Sequence, residues 1–317
     1  MENPKPSVAY LGPESSYSHQ ATLECFDSEE YTFKPQVHIQ DIFEAVQAGH
    51  VSRGVVPFEN STNGSVVYTL DLFADRQRTN PDVFVCGEAY LDVHHHLLGH
   101  SSLTASPIGS GDATPTANVP APSRPRATPL ASLDHVNRVY SHPQAFGQCE
   151  SFLSTYLKGV ERHEVSSTSK AAQIVAQDPT KTSAAISSKI AARVHGLNTL
   201  ARGIEDREDN TTRFLILRKG VEDFGQVKVE KSKSLVSFTI DHCAPGALAE
   251  ALTVFKEHAL NLTSINSRPS RLARWNYIFF VEFSGDGVQL LEVAFGDLQK
   301  VTTGWRWLGT WKDELNN

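Results

Sequence analysis

Short apolar runs alternate with apolar residues at helical spacing in the first part of the chain. Residues 7–11 and 55–58 are compact apolar runs typical of buried strands, and each is followed by a polar turn. Apolar residues then recur at helical spacing over residues 39–46 and 66–73. Strands that alternate with helices in this way predict an α/β unit with a mainly parallel sheet.

The same alternation resumes in the middle of the chain. Apolar runs predict strands at 136–140, 184–186 and 214–217, and helical spacing predicts helices at 146–157 and 171–175. These elements extend the α/β region of the chain.

A different order of elements follows Lys231. Alternation or helical spacing predicts six further elements, at 236–240, 248–259, 262–265, 277–283, 288–301 and 305–311. The second and fifth of these are helical and the others are extended. The order βαββαβ predicts a ferredoxin-like module.

The stretch between His100 and His135 has a different composition from the rest. It is dense in Pro, Ala, Ser, Thr and Gly and shows no apolar period. Such a segment buries too little apolar surface to offset the entropy lost on ordering, so we predict a disordered insert at 100–135. The predicted domains are an α/β region at 1–228, which contains this insert, and the βαββαβ module at 229–317.

Composition and charge narrow the classes of function. The chain has 317 residues and a net charge of -7, which disfavours nucleic acid or an anionic membrane surface as the main partner. Its four cysteines stand far apart, without the spacing of a zinc or redox site, which favours a reducing compartment. We find neither a signal peptide nor an apolar stretch long enough to span a membrane, and predict a cytoplasmic protein.

Polar turns follow several predicted strands and lead into helices. They read GPESSYS, PFENSTNGS, SHPQAFGQ and SSTSKAA. Free amides and the helix dipole make such helix starts attractive to carboxylates and phosphates. Each turn taken alone fits a simple helix cap, whereas together they predict a site for a small polyanion.

Two other polar groups stand out along the chain. Arg213, in the run NTTRFLIL, enters a predicted strand and could grip a carboxylate, although a solvated arginine fits as well. The run His94, His95 and His96 invites a metal, but successive strand residues point to opposite faces, so we predict no metal site. The standard phosphate loops and the nucleophile elbow are missing from the sequence, and we predict no cofactor.

In their order along the chain, these motifs resemble those of the prephenate dehydratase family. The resemblance is carried by VAYLGPESSYSHQA, VVPFENSTNGSV, VHHHLL, SHPQAFGQCESFL, SSTSKAAQIVA, AAISSKIAARVHGL and IEDREDNTTRFLIL. The C-terminal module resembles an ACT domain, with GAL and SRP at its two marker positions. Several motifs in the order typical of the family are stronger evidence of the resemblance than any single motif.

The resemblance implies the decarboxylating dehydration of prephenate to phenylpyruvate, without a cofactor, in phenylalanine synthesis. It implies two lobes like those of a periplasmic binding protein, with the site in the cleft. One lobe would combine the start of the chain with residues near 190–220. The implied proton donor is Thr212, with Glu59 or His95 as alternatives, and Glu59 could equally be a helix-capping carboxylate. The implied substrate-binding residues are Asn60, Ser61, Ser141, Gln148, Thr168, Arg213 and Phe214.

The same resemblance implies control by phenylalanine and assembly into a homodimer or homotetramer. The implied effector residues are Gly246, Ala247, Leu248, Asn266, Ser267, Arg268 and Pro269. The family usually has Glu where this chain has Asn266, which predicts weaker phenylalanine binding. No chorismate mutase segment precedes Ser7, which predicts a monofunctional chain.

Two other functions remain open at this point. An arogenate dehydratase would act on the same skeleton with an amine in place of the keto group. A non-catalytic amino-acid sensor would use the lobes for binding alone. The presence of Glu59, Asn60, Thr212 and Arg213 favours an enzyme over a sensor.

Overall fold

A computed structural model describes residues 4–101, 125–220, 231–285 and 288–315 of the chain. Their contacts divide the chain into two compact units, which we call unit 1 and unit 2. Unit 1 comprises Met1–Leu11, Ala21–Leu91 and Thr212–Asn317, and unit 2 comprises Gly12–Gln20 and Asp92–Thr211.

The mixed α/β class is confirmed by the order of elements. Up to the middle of the chain these are β1 (Ser7–Leu11), α1 (Tyr17–Cys25), β2 (Thr32–Gln36), α2 (Ile39–Gln47), β3 (Arg53–Asn60), β4 (Gly64–Ser65), α3 (Val67–Ala74), β5 (Val83–Asp92), β6 (His96–Gly99), β7 (Arg138–Ser141), α4 (Pro143–Gly147), α5 (Glu150–Tyr156) and β8 (Glu161–Glu164). There follow α6 (Thr168–Ala176), β9 (Ser183–Ser187), α7 (Lys189–His195), β10 (Asn198–Arg202), β11 (Thr211–Lys219), β12 (Ser232–Thr239), α8 (Ala247–Glu257), β13 (Asn261–Pro269), β14 (Tyr277–Ser284), α9 (Val288–Val301) and β15 (Gly304–Lys312).

Unit 1 is built on one long sheet of mixed direction. Its strand order is β13-β14-β12-β15-β5-β11-β3-β1-β2, and β4 pairs with β3. β1 runs parallel to β2 and β3, as their intervening helices require, but β11 runs antiparallel to β3. The prediction of a mainly parallel sheet is therefore wrong, because a strand such as β11 can pair antiparallel without a crossover helix.

The predicted βαββαβ module is confirmed as β12 to β15 with α8 and α9. It is not packed separately from the strands that precede it. Leu235, Phe280, Leu308 and Trp311 of the module lie in one apolar cluster with residues of β3 and β11 such as Val56. The predicted boundary at residue 228 falls outside the described residues, and by its contacts the module belongs to unit 1.

Unit 2 has its own sheet, in the order β10-β6-β9-β7-β8. β8, β7 and β9 run parallel, so their carboxyl ends lie at one edge of the sheet, which we call the polar edge. β6 runs antiparallel to β9 and begins at this edge, and β10 runs antiparallel to β6 and ends there. Residues 190–211, predicted to accompany the start of the chain, belong instead to unit 2, as do residues 12–20.

The end of the predicted insert is ordered and packed. Leu133 is buried in the core of unit 2, Pro129 forms a β-bridge with Ala201, and the Leu130 N–H donates to the Leu200 carbonyl at 2.7 Å. The disorder predicted for 100–135 is thus wrong from residue 125 onward, because apolar residues near its end find a core that the local composition did not reveal. Residues 102–124 lie outside the described part.

The helices and the cysteines of the described residues bear on membrane association and on disulfide formation. Within the described ranges, no helix is long and apolar enough to cross a membrane. All four cysteines are free thiols, and Cys149 is the one that is buried.

Candidate functional site

In unit 1, antiparallel pairing brings Thr212 beside Asn60. The two residues are register partners at the carboxyl end of β3 and the start of β11. Asn60 Nδ2 donates a hydrogen bond to Thr212 Oγ1 at 2.9 Å. Residues 152 positions apart in sequence thus form one polar pair at the end of a strand, where α/β proteins bind ligands.

The direction of this hydrogen bond is fixed by the turn that follows β3. Asn60 Oδ1 accepts from the backbone N–H groups of Thr62 at 3.1 Å and Asn63 at 3.0 Å, so it must be the oxygen of the side-chain amide. The amide nitrogen then faces Thr212 as a donor. Because Thr212 Oγ1 accepts this bond, its own hydrogen remains available for donation to a ligand.

Two other predicted residues lie close to this pair. Glu59 is half-buried on β3, and its carboxylate has no hydrogen-bond or ion-pair partner in the part of the chain that the structure describes. It therefore caps no helix among those residues, which removes the capping interpretation. Ser61 is exposed in the turn after Asn60.

Arg213 is engaged by two protein carboxylates. Its guanidinium is buried, where Nε donates to Glu88 Oε2 at 2.8 Å and a terminal nitrogen donates to Glu282 Oε2 at 2.6 Å. Burial alone would lower the pKa of Arg213, but the charges of Glu282 and Glu88 raise it above its ordinary value. Its role in holding a substrate carboxylate stays a prediction.

This ion pair belongs to a larger buried network that joins the module to β5 and β11. Lys233 Nζ lies 3.1 Å from Glu88 Oε1 and 2.9 Å from Asp313 Oδ1, and all three side chains are buried. Phe214, predicted to contact the substrate, is also buried, with 1% of its surface exposed. It is part of the packed interior, and its contact with the substrate stays a prediction.

In unit 2, His95 is the centre of a buried polar set at the polar edge. Its Nδ1 lies 2.9 Å from the Tyr17 hydroxyl, and its Nε2 lies 2.7 Å from Gln148 Oε1. Burial lowers the pKa of His95, so the ring is neutral and carries one proton. Gln148 presents its amide oxygen to Nε2, so its NH₂ group is turned away from the ring.

Glu205 anchors this set from the loop after β10. Its Oε2 accepts from the His95 backbone N–H at 2.8 Å, and its Oε1 lies 2.9 Å from His94 Nδ1. Burial opposes ionisation of Glu205, but these hydrogen bonds outweigh it and lower the pKa of the carboxyl. An ionised carboxylate therefore holds the backbone at His95 in place.

The three consecutive histidines do not converge. His94 is exposed and contacts Glu205, whereas His95 faces Tyr17 and Gln148. His96 has a different environment, in which burial lowers its pKa to about 4. Only His96 belongs to a strand, so the alternation on which the prediction rested is not what separates them. Among the described residues, no group of three or more metal-ligating side chains could hold a metal ion.

Two predicted residues of unit 2 remain, Ser141 and Thr168. They differ in whether the side-chain hydroxyl already makes a hydrogen bond. Ser141 is fully buried, and its hydroxyl donates to the Ile186 carbonyl at 2.9 Å. The hydroxyl of Ser141 is thus engaged within the sheet, and its contact with a substrate stays a prediction. Thr168 is half-buried at the start of α6, and its side chain makes no hydrogen bond within the described ranges.

The four predicted polar turns are divided between the units. Residues 12–18, 141–144 and 166–169 belong to unit 2, and residues 57–65 belong to unit 1. In unit 2 the Ser188 hydroxyl donates to the Ser15 carbonyl at 3.0 Å, which ties the first of these turns to the end of β9. The turns of unit 2 therefore meet at the polar edge.

The predicted effector residues lie on two segments of the module. Gly246 precedes α8 with a φ of 87°, which favours glycine, Ala247 is buried and Leu248 is half-buried. On β13, Arg268 is engaged by Asp71 of α3 through two hydrogen bonds of 2.8 and 2.9 Å. Arg268 is therefore paired with Asp71 in this structure, and its contact with an effector stays a prediction.

The other residues of the β13 segment also contact the first part of unit 1. Asn266 Oδ1 accepts from the Ser65 hydroxyl at 2.8 Å, and the Pro269 carbonyl accepts from Arg76 Nε at 3.0 Å. Ser267 lies between these contacts on the strand. The side chain of Asn266, which replaces the usual Glu, is thus engaged with β4.

Sequence reasoning missed the partners that orient the site. Tyr17 and Glu205 lie within quoted motifs, GPESSYS and IEDREDNTTRF, but nothing local marks them as partners of His95. Glu88 and Glu282 stand singly on apolar strands, where a lone charge at an inward position is a usable signal of a buried ion pair.

Comparison with known proteins places the chain in a family. Residues 8–222 match the prephenate dehydratase family. The chain is 36% identical to a bifunctional chorismate mutase/prephenate dehydratase of Aquifex aeolicus, over 98% of this chain and 75% of that protein. It is 32% identical to a prephenate dehydratase of Methanocaldococcus jannaschii, over 94% of each chain. It covers 65% of the length of similar bifunctional enzymes from Stutzerimonas stutzeri and Pseudomonas aeruginosa.

Further relatives and a solved structure extend the comparison. The chain is 32% identical to arogenate dehydratase 2 of Petunia hybrida, over 97% of this chain and 72% of that protein. A crystal structure of a prephenate dehydratase from Arthrobacter aurescens, in complex with L-Phe, has the same fold, with a TM-score of 0.79 at 24% identity over 98% of this chain and 91% of that one. The chain belongs to the prephenate dehydratase family of carbon–oxygen lyases.

Proposed function

We propose that this protein converts prephenate into phenylpyruvate, carbon dioxide and water. The bond between the ring and its carboxylate breaks, and its electron pair completes the aromatic ring. The ring C–O bond breaks at the same time, and the departing hydroxide takes a proton to leave as water. Aromatisation drives the reaction, so the protein has to orient a dianion and supply a proton at one oxygen.

The observation that carries this proposal is the Thr212 hydroxyl with its fixed hydrogen-bond direction. Asn60 donates to Thr212 Oγ1 at 2.9 Å, so the Thr212 hydrogen points to a different acceptor. The acceptor we propose is the hydroxyl oxygen that leaves the ring. Donation to Thr212 by Asn60 also stabilises negative charge on Oγ1 as its proton moves, which compensates for the weak acidity of an alcohol.

Glu59 is the second candidate for the acid in unit 1. Its half-buried carboxylate has no partner among the described residues, and it precedes Asn60 in β3. Its alternative role is to relay a proton to Thr212 after release of water. Substitution of Glu59 by Gln tests both roles together, because an amide keeps the shape but can neither act as the acid nor relay a proton.

His95 acts in this proposal as a positioning residue. Both of its ring nitrogens are engaged, by Tyr17 and by Gln148, so it has none to offer to a substrate. By fixing Gln148 Oε1, His95 turns the Gln148 NH₂ group outward, where it can donate to an anion. We therefore assign substrate contact to Gln148 and orientation to His95.

The proposal is tested first by Thr212→Val. Valine keeps the shape of the side chain but removes the donor, so kcat is expected to fall about a hundredfold or more with little change in KM. Thr211→Val is the matched control, because its hydroxyl donates to Asp92 at 2.6 Å and has no part in the proposal. A folded Thr212→Val protein with nearly normal kcat would exclude Thr212 as the donor.

Substrate choice between prephenate and arogenate follows from a separate experiment. The similarity to an arogenate dehydratase of Petunia hybrida is the reason to test this second activity. Incubation of the purified chain with each substrate, followed by identification of phenylpyruvate or phenylalanine, decides between them. We expect phenylpyruvate from prephenate at the higher kcat/KM.

Control by phenylalanine is the regulatory part of the proposal, supported by the L-Phe complex of the Arthrobacter aurescens enzyme. Gly246 carries no side chain to cap α8, which leaves helix-end amides able to meet an amino-acid carboxylate. Calorimetric titration of the full chain with phenylalanine, alongside turnover assays, tests this role. If phenylalanine does not bind to the full chain, the module has a purely structural role.

Assembly and location complete the proposal. We propose a homodimer or homotetramer formed through the module, since Leu262 and Ile265 on its edge strand are 39% and 50% exposed. Light scattering on the purified chain measures the assembly directly. The four free thiols fit a cytoplasmic location, which fractionation of cells that express the chain would test.

A further inference from the structure

Three buried polar atoms at the polar edge of unit 2 have no hydrogen-bond partner among the described residues. They are Ser169 Oγ, Ser187 Oγ and His96 Nδ1. Ser169 is 2% exposed and Ser187 is fully buried, so their side chains are shielded from bulk solvent. A buried hydroxyl or ring nitrogen without a partner destabilises the fold, so three of them in one region point to a polar group that completes them.

The three atoms lie on the same face of the sheet. His96 and Ser187 are register partners in antiparallel β6 and β9, so their side chains share a face. Ala185 and Leu98, two residues along the same strands, pack against α6 on that face. Ser169 stands one turn before Ala172, which lies in the same cluster, so it faces the sheet from the start of α6.

The first turn of α6 adds further donors to this face. The Ser167 side chain caps the Lys170 N–H at 3.1 Å, but the backbone N–H groups of Thr168 and Ser169 have no partner within the described residues. The Thr168 hydroxyl is similarly unengaged there. α6 is nine residues long, so its dipole reinforces the attraction of these donors for negative charge.

We propose that Thr168, Ser169, Ser187 and His96 form a carboxylate-binding subsite, which we call the α6 subsite. Free amides and hydroxyls at a helix start match the oxygens of a carboxylate. Lys189, an exposed lysine at the start of α7 that lies close enough to His96 to affect its charge, adds a positive field beside it. The subsite is distinct from Gln148, which His95 orients.

The identity of the carboxylate rests on the proposed function. Prephenate carries one carboxylate on its ring, which leaves as carbon dioxide, and another on its side chain, which remains in phenylpyruvate. Strong donors on the leaving carboxylate would oppose the loss of its charge in the transition state. The α6 subsite therefore holds the side-chain carboxylate, equally in substrate and product.

Two serines on one strand provide a matched test. Ser183 and Ser187 lie on the same face of β9 and both are buried, but the Ser183 hydroxyl donates to Asp178. Ser187→Ala is expected to raise KM for prephenate about tenfold with kcat unchanged, because it removes a hydrogen bond made equally in the ground and transition states. It should leave Tm unchanged or higher, because it removes an unsatisfied hydroxyl. Ser183→Ala should lower Tm and leave KM unchanged.

Binding of phenylpyruvate, measured by its effect on Tm, separates this inference from the proposed function because it needs no turnover. If phenylpyruvate stabilises the unmodified protein and Ser187→Ala weakens that effect about tenfold in apparent Kd, the subsite stands even without prephenate turnover. If prephenate is turned over and Ser187→Ala changes neither KM nor phenylpyruvate binding, the subsite is excluded. Weakening by Ser183→Ala to the same extent would also exclude it, since the effect would then be structural.

Discussion

At the scale of single residues, hydrogen-bond direction separates the side chains that hold the fold from those that can reach a ligand. The hydroxyl of Ser141 donates into the sheet, whereas that of Thr212 accepts from Asn60 and keeps its hydrogen. Both residues are hydroxyl-bearing and both lie at strand ends. Their different roles follow from which neighbouring atom is a donor.

His96 is expected to make stability depend on pH. Burial lowers its pKa to about 4, whereas an unfolded histidine titrates near 6.5. Between these values the unfolded chain binds a proton that the folded chain does not, so stability falls as pH falls through this window. His96→Gln should therefore lose less Tm than the unmodified protein between pH 7 and pH 5.

The control for this experiment is His50→Gln, at an exposed histidine of unit 1. It should leave the difference in Tm between the two pH values unchanged. An equal loss of Tm in His96→Gln and the unmodified protein would show that His96 is accessible to protons in the folded state.

At the scale of elements, α3 and β13 are held together by a charged contact. Asp71 receives two hydrogen bonds from Arg268 and a third, of 2.9 Å, from Arg76, which also donates to the Pro269 carbonyl. Hydrogen bonds from Arg268 outweigh partial burial and lower the pKa of Asp71. The contact joins the predicted effector strand to the helix that follows the Asn60 turn.

A double-mutant cycle on Asp71→Asn and Arg268→Gln measures the strength of this contact. We expect a coupling free energy of about 1 kcal/mol, because the pair is bidentate and only 21% and 25% exposed. The Glu150 and Arg162 pair of unit 2 is the control, since it is also bidentate but 54% and 36% exposed. A coupling no larger than that of the control would mean that the contact adds nothing to stability.

At the scale of the whole molecule, the module is part of unit 1 rather than an appendage. Its β15 pairs with β5 at Gly309 and Val85, and its Lys233 and Glu282 complete the buried network around Arg213. The backbone that carries Thr212 is adjacent to that arginine. Packing of the module therefore supports the strand on which the proposed donor lies.

Leu308→Ala tests this shared core. Leu308 is fully buried in the cluster that contains Val56 and Leu215, so its truncation should cost about 2–5 kcal/mol and speed hydrogen exchange in β3 and β11. Leu298→Ala, in the cluster confined to the module, is the control and should affect those strands less. Unchanged exchange in β3 and β11 of Leu308→Ala would show that the two parts unfold independently.

The sequence by itself determined the α/β class, the βαββαβ module, the family and those elements that have a clear apolar period. Local periodicity and contiguous motifs carry that information, because the residues concerned are neighbours along a helix, a strand or a turn. It also placed Thr212, Asn60, Glu59 and His95 among the candidates. Their predicted roles in proton donation or substrate binding came from the resemblance of their motifs to those of the family.

Only the tertiary structure decided which of these side chains are free to act. Arg213 is paired with Glu88, 125 positions away, and with Glu282, 69 positions away. Leu133 is ordered by a core that its own segment does not encode. Hydrogen-bond satisfaction and burial depend on atoms that are distant in sequence, so no local pattern could reveal them.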